Sequence, residues 1–362
     1  MNLDNNADAE FSIKQALLSA AKPAQLPKDL YQPTLDVLEA YECWVPALSF
    51  LNEWSRDTGL KTTAKARTAR ILLYFQGRKN EAAKAVAEIA ASENLSFEQI
   101  EKLILTSIVD ADDFQSVVFL LENCWQSLKE LRDRVKCVER ICLLYEKKVH
   151  DEDRLYEFNS KLIKIDPNNH KALRYFKMIS AQAGDWGSVE NYLARLVSAA
   201  SHPKDVYRLA QELAAVQLYQ LDKASESLAT VRRFCSESHL DTSMIEYDAY
   251  HRLADWRGCS SVLRKLLVQA GSNKEKSVLS LKIAIIEETS SNFGEALQRY
   301  EDAFEFDSNN AEALERLIQL LIKKRDWKAT AARIKQMMEI VEGSELRKRL
   351  RDAVERIETV AF

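Results

Sequence analysis

Apolar residues recur along this chain three and four positions apart, in paired segments separated by short polar turns. The clearest segment is Asn292-Phe-Gly-Glu-Ala-Leu-Gln-Arg-Tyr-Glu-Asp-Ala-Phe-Glu-Phe-Asp-Ser-Asn-Asn310. A tight turn ends in an aromatic residue, Ala296, Tyr300 and Ala303 then share one helical face, and Asp-Ser-Asn-Asn stops the helix. The same stop reads Lys164-Ile-Asp-Pro-Asn-Asn169. This spacing predicts helical hairpins and no sheet.

The pattern repeats. A small or apolar residue on the second helix of each hairpin falls at Ala47, Ala82, Val117, Leu155, Val189, Ala224, Cys259, Ala296 and Thr330, at spacings of 34 to 38 residues. One turn later stand Leu51, Val86, Leu121, Asn159, Leu193, Leu228, Leu263, Tyr300 and Ile334. Three residues earlier, at the entry to the second helix, stand Trp44, Lys79, Phe114, Glu152, Trp186, Leu221, Trp256, Phe293 and Trp327. In that last series Trp44, Phe114, Trp186, Trp256 and Trp327 recur in alternate hairpins, which reads as a duplicated two-repeat unit. Asp185, Asp255 and Asp326 each precede a Trp and suit the helix N-cap, where a carboxylate accepts orphan N–H groups. The indoles then wedge against the neighbouring hairpin.

In these motifs the chain resembles the tetratricopeptide repeat (TPR) family, with degenerate copies over most of its length. The resemblance implies an all-α, right-handed α-solenoid in which first helices line a concave wall and second helices the outer one. Stacking joins apolar faces that no single hairpin can bury alone. Residues 1–9 are expected to be disordered and 10–33 to form a short helix and a proline-containing linker. About nine TPR-like repeats follow over 34–342, and 343–362 make a C-terminal capping helix with its apolar stripe on Leu346, Leu350, Ala353, Val354 and Ile357.

Composition narrows the function. Eight glycines and six prolines in 362 residues leave little for the turns of an all-β fold or for phosphate-cradling loops. A net charge of −4 with interspersed signs argues against non-specific nucleic-acid binding, and no apolar run approaches a membrane span. The six cysteines form no CxxC pair and no dense framework, which points to reduced thiols in a cytoplasm. Cys235-x3-His239 and His251-x7-Cys259 come closest to metal-ligand spacing but lack the short pairs of a closed zinc site. With no GxGxxG, P-loop, GxSxG or HExxH, neither cofactor, metal nor catalyst is expected.

What remains is a basic series on the first helices: Arg67, Lys102, Arg140, Arg174 and Arg208, one per repeat from two to six, with Tyr175, Met178 and Tyr207 beside them. Such cations suit an acidic protein segment. The family's clamp for chaperone C-terminal peptides is absent. Its places hold Arg67, Ile71, Leu103, Cys137 and Ile141 without an asparagine. The expected function is therefore a non-catalytic protein-interaction scaffold, binding a peptide segment or a folded domain such as a small GTPase or a polarity or secretion component. Homo-oligomers are left open. The alternative is an RNA-binding protein of pentatricopeptide type, whose members are usually basic.

Overall fold

The computed structural model describes residues 30–56, 61–235 and 240–361. The expected disordered tail, the helix near residues 11–21 and the linker up to residue 29 lie outside the described residues, as does His239. The chain divides into two units, residues 1–175 and 176–362. The first holds α1 (Tyr31–Ala40), α2 (Trp44–Trp54), α3 (Lys61–Arg70), α4 (Lys79–Ser92), α5 (Phe97–Ser107), α6 (Phe114–Cys124), α7 (Leu131–Leu144) and α8 (Glu152–Ile165). The division falls inside α9 (His170–Gln182). The second unit continues with α10 (Trp186–Ala199), α11 (Pro203–Ala215), α12 (Ala224–Phe234), α13 (Leu240–Arg252) and α14 (Trp256–Gln269). It ends with α15 (Asn273–Thr289), α16 (Phe293–Phe306), α17 (Ala311–Lys323), α18 (Trp327–Ile340) and α19 (Ser344–Ala361). Among the described residues there is no strand.

In chain order the helices among the described residues make nine successive couples and a closing helix. In the first unit α1 packs on α2, α3 on α4, and α7 on α8, while first helices also meet first helices (α3–α5, α5–α7) and α4 meets α6. In the second unit each helix from α11 to α19 packs on the next, and α11 also meets α13. The proline at position 33 does not end a linker. It sits in the first turn of α1, where its missing N–H is not needed. α19 closes the second unit by laying Leu350, Val354 and Ile357 on Ala331 and Ile334.

Local geometry explains why the hairpins recur. In eight of the nine pairs the residue two places before the second helix is left-handed, with φ from 53° to 73°: Glu42, Gly77, His150, Gly184, Asp222, Ala254, Ser291 and Arg325. In five of them the next amide donates to a carbonyl five residues back, as Cys43 does to Leu38 (2.8 Å), Asp185 to Ser180 (2.9 Å) and Asp326 to Leu321 (3.0 Å), and in pairs two and six Arg78 and Lys223 donate six back, to Leu72 and Gln217. This left-handed C-cap satisfies the last carbonyls of the first helix while reversing the chain. Only two of the eight are glycines, so tertiary packing holds six side chains in a conformation they disfavour. The third pair reverses differently, with the Asp112 amide donating to Asp110 Oδ1 at 3.0 Å.

The Asp-Trp pairs cap as the sequence implies. Asp185, Asp255 and Asp326 accept from the amides of Ser188, Gly258 and Ala329 at 3.0–3.1 Å. The Asp-x-Asn-Asn stops turn out to cap the following first helix. Asn169 and Asn310 accept from Ala172 and Ala313, and their amides reach back to Glu139 and Ser277 of the preceding first helices at 2.8 Å.

Eight of the nine second helices begin at the residue expected from the repeat. The exception is pair six, where α12 begins at Ala224 and not Leu221. Its first helix ends in a π-helical turn, Val216–Gln220, the register slides by three, and fully buried Ser227 takes the small-residue place assigned to Ala224. Similar π-helical turns end the first helices of pairs two and four, Ile71–Phe75 and Tyr145–Val149. Trp44 stacks on Phe75 at 4.1 Å, wedging one hairpin onto the next. The aromatic series is a rim more than a core, since Phe114, Trp186 and Trp256 are half-buried and Trp327 is exposed.

Candidate functional site

The cations Arg67, Lys102, Arg140 and Arg174 each stand twelve residues before the first residue of their pair's second helix, on α3, α5, α7 and α9. All four belong to the first unit. With pair six in its observed register, Glu212 takes that place and Arg208 lies four residues earlier. Arg208 sits in the second unit, exposed and 3.8 Å from Asp205. Its place in the series came from the slipped register, so the structure removes it. Met178 is exposed in the same unit, and the Tyr207 hydroxyl lies 3.3 Å from that of Thr242. Tyr175 of the first unit is half-buried, and burial raises its pKa.

The four cations are not equivalent. Arg67 binds Asp36 at 2.8 Å and Glu39 at 3.3 Å, and Arg140 lies 2.7 Å from Glu101. In both cases the carboxylate comes from the preceding first helix, so these arginines staple neighbouring pairs. Lys102 and Arg174 are exposed and have no ion-pair partner among the described residues. The staple recurs one repeat apart along the first unit. Arg70 meets Glu39 at 2.6 Å, Lys136 meets Glu98, and Lys171 meets Glu139 at 2.6 Å. Within the second unit Lys177 meets Glu212 at 2.7 Å and Lys323 meets Glu288 at 3.1 Å.

Two of the four line one cleft. Between α3 and α5 a space of about 350 Å³ is bounded by Arg67, Arg70, Lys102, Gln99 and the hydroxyls of Thr62, Thr63 and Thr106. Asp36 and Glu39 neutralise Arg67 and Arg70 from one side, which leaves the Lys102 ammonium as the cation open to an added carboxylate. Sequence reasoning missed Arg70, which stands one turn after Arg67 and could have been found as its i+3 neighbour.

The cysteine thiols are not prepared as nucleophiles. All six cysteines are free and buried. Burial pushes the Cys142 thiol up to about 12 and the Cys259 thiol up to about 11, the reverse of what a nucleophile needs. Cys137 is raised further, by its contact with the Cys124 thiol and by burial. Tyr74 is pushed up to about 12 by burial and by its hydrogen bond to Asp113, 2.7 Å long. Among the described residues no three His, Cys, Asp or Glu side chains stand together to hold a metal ion, and no helix is long and apolar enough to cross a membrane.

No family model matches the chain, and no curated protein matches it. Solved structures do match. A tetratricopeptide repeat protein from Parabacteroides merdae is 10% identical, with 70% of this chain and 98% of that one covered and a TM-score of 0.32. Yeast Tom70 is 10% identical over 99% of this chain and 93% of its own, with a TM-score of 0.30. The P58(IPK) TPR domain is 12% identical over 92% and 98%, with a TM-score of 0.27. Superpositions this loose carry no argument of their own. The all-α, TPR-like character of the chain rests on the paired helices, their turns and their small-residue contacts.

Proposed function

We propose that this chain is a non-catalytic protein-interaction scaffold, and that the first-helix face of its first unit binds an acidic segment of a protein partner. The observation that carries the reading is the asymmetry within the basic series. Four cations occupy one repeat position, two are consumed by carboxylates of the preceding pair, and Lys102 and Arg174 are left exposed. The internal pairs show how a carboxylate is held on this face, and a partner's Asp or Glu would meet the remaining cations in the same way. Solvated contacts of this kind add modest affinity singly but set register and raise the association rate.

The test is affinity capture with the full chain, wild type against Lys102→Glu/Arg174→Glu, quantified by mass spectrometry at low and at raised salt. A partner recovered by the wild type, lost with the double variant and weakened by salt is the expected result. Equal recovery on both baits across the salt series refutes the reading. Neither side chain belongs to the core, so circular dichroism of the variant should match wild type.

A further inference from the structure

Helix α1 carries two apolar faces. Leu35 and Leu38 are fully buried in the core of the first hairpin. On the other side Leu30, Pro33, Val37 and Ala40, spaced by three, four and three residues, share one face about 80° wide. All four are exposed, Leu30 by 46% and Val37 by 38%. Single exposed apolar residues are ordinary on a protein surface, but a stripe along a whole helix is the pattern of a face meant to be covered. The polar residues of α1 lie between the two faces and are already engaged. Gln32 donates to Asp36 at 2.7 Å, and Asp36 and Glu39 both hold Arg67.

The order of packing says what covers such a face. In the first unit α2 packs on α3, α4 on α5 and α6 on α7, and in the second α10 on α11, α12 on α13, α14 on α15 and α16 on α17. Each of these first helices meets the second helix that precedes it in the chain. Among the described residues α1 has no predecessor. A terminal helix of a repeat stack needs a polar outer face or a cover. In the second unit α19 meets that need with exposed Lys348, Asp352 and Glu355, whereas α1 presents its apolar stripe. The sequence before α1 supplies a matching helix pattern. Ile13 and Leu17 stand 34 residues before Ala47 and Leu51, within the spacing of the repeat, and Ala20 follows Leu17 by three residues as Ala303 follows Tyr300. Ile13, Ala16, Leu17 and Ala20 fall on one helical face, away from Ser12, Gln15 and Ser19. As a helix, residues 11–21 would span about 16 Å, against about 15 Å for α1. Residues 22–29 reach up to about 26 Å when extended, enough to lay that helix back along α1, and connections of this length join antiparallel neighbours.

We propose that residues 11–21 dock along the Leu30, Pro33, Val37 and Ala40 stripe of their own chain, as the second helix of an N-terminal half-repeat that caps the first unit. Ile13 and Leu17 supply the apolar area, and Ala16 and Ala20 let the two backbones approach, as small residues do in the hairpins that follow. The contact withdraws the stripe from water and from a second copy of this chain, which is the competing occupant.

The test is hydrogen–deuterium exchange of the full chain followed by mass spectrometry, on wild type, Val37→Asp, Leu17→Asp and Gln15→Glu. Val37 is exposed, so Val37→Asp should fold, and circular dichroism checks this; Leu17→Asp alters no described residue. In wild type the amides of residues 11–21 should exchange about tenfold or more slowly than in a synthetic peptide of the same sequence. That protection should disappear in Val37→Asp and in Leu17→Asp, persist in Gln15→Glu, and be the same at low and at high protein concentration. Exchange at the free-peptide rate in wild type overturns the proposal. Protection that survives Val37→Asp puts the segment elsewhere and overturns it too. Protection that grows with concentration, alongside a dimer in light scattering, gives the stripe to a second copy and overturns the intrachain cap.

Discussion

Gly258, the third residue of α14, offers a test of the hairpin packing in which two effects oppose. A β-carbon built there lies within 2.5 Å of three ring atoms of Tyr250, on the partner helix α13. Carbon atoms in good contact sit about 3.5–4.0 Å apart, so Gly258→Ala requires the ring to withdraw by roughly 1 Å. The ring has little freedom. Tyr250 is buried, its hydroxyl accepts from Arg232 Nη2, and the Arg232 guanidinium covers its face at 5.6 Å. Overpacking of this kind costs about 1–3 kcal/mol. Against it, Ala gains up to about 1 kcal/mol over Gly within a helix. The balance is a net loss of up to about 2 kcal/mol. Gly187 of α10 and Gly294 of α16 are the controls. Their β-carbons meet at most Asp185 Oδ1 at 3.7 Å, or nothing within 4 Å. Gly187→Ala and Gly294→Ala are therefore expected to raise stability by up to about 1 kcal/mol. Urea unfolding followed by circular dichroism, with all three variants side by side, reads the sign of each change. A Gly258→Ala midpoint equal to or above wild type refutes the Tyr250 contact as the reason for glycine. Trimming the ring, as in Gly258→Ala/Tyr250→Leu, should recover part of the loss.

Three further outcomes are expected. Burial opposes the charge of Asp113, Glu190 and Glu287, but hydrogen bonds from Ser116 and Tyr74, from Lys223 and Gln217, and from Ser260, Asn292 and Arg264 outweigh it and lower all three pKa values. Their stabilisation is complete above the unfolded carboxylate pKa, near about 4, and is lost as pH falls through the lower native values. The urea midpoint should therefore hold from neutral pH down to that range and then drop, whereas a midpoint that stays flat through strong acid contradicts the argument. Asp255→Ala removes the cap on the Gly258 amide and should cost about 1 kcal/mol, and an unchanged midpoint would dismiss the cap as a stabilising contact. All six cysteines are buried free thiols, so a thiol reagent should label them slowly in the native chain and all six at once in denaturant; rapid native labelling of two or more contradicts the burial.

The helices were legible because each carries its own signals: three-and-four spacing, an Asp or Asn at the cap, a small residue at the close contact. These are local, and the register they imply holds wherever the first helix is an ordinary α-helix. It failed at pair six, where Leu221 fitted the entry position by its apolar side chain although the helix begins three residues later, at Ala224. Turn conformation was also outside the reach of sequence. Ala254 and Arg325 adopt φ of 53° and 59° although nothing in their identity asks for it, because the packing of two helices fixes the turn between them.

The amino-acid sequence by itself determined the all-α class and where most of the second helices begin. It could do so because helix propensity, capping and periodicity act over one or two turns. Only the tertiary structure decided which cations are free. Arg67 and Arg140 are bound by Asp36, Glu39 and Glu101, residues about thirty to forty positions away that come near only when first helices stack. Exposure and cavity shape belong to the stack and not to any segment, because they depend on what a neighbouring helix fails to cover.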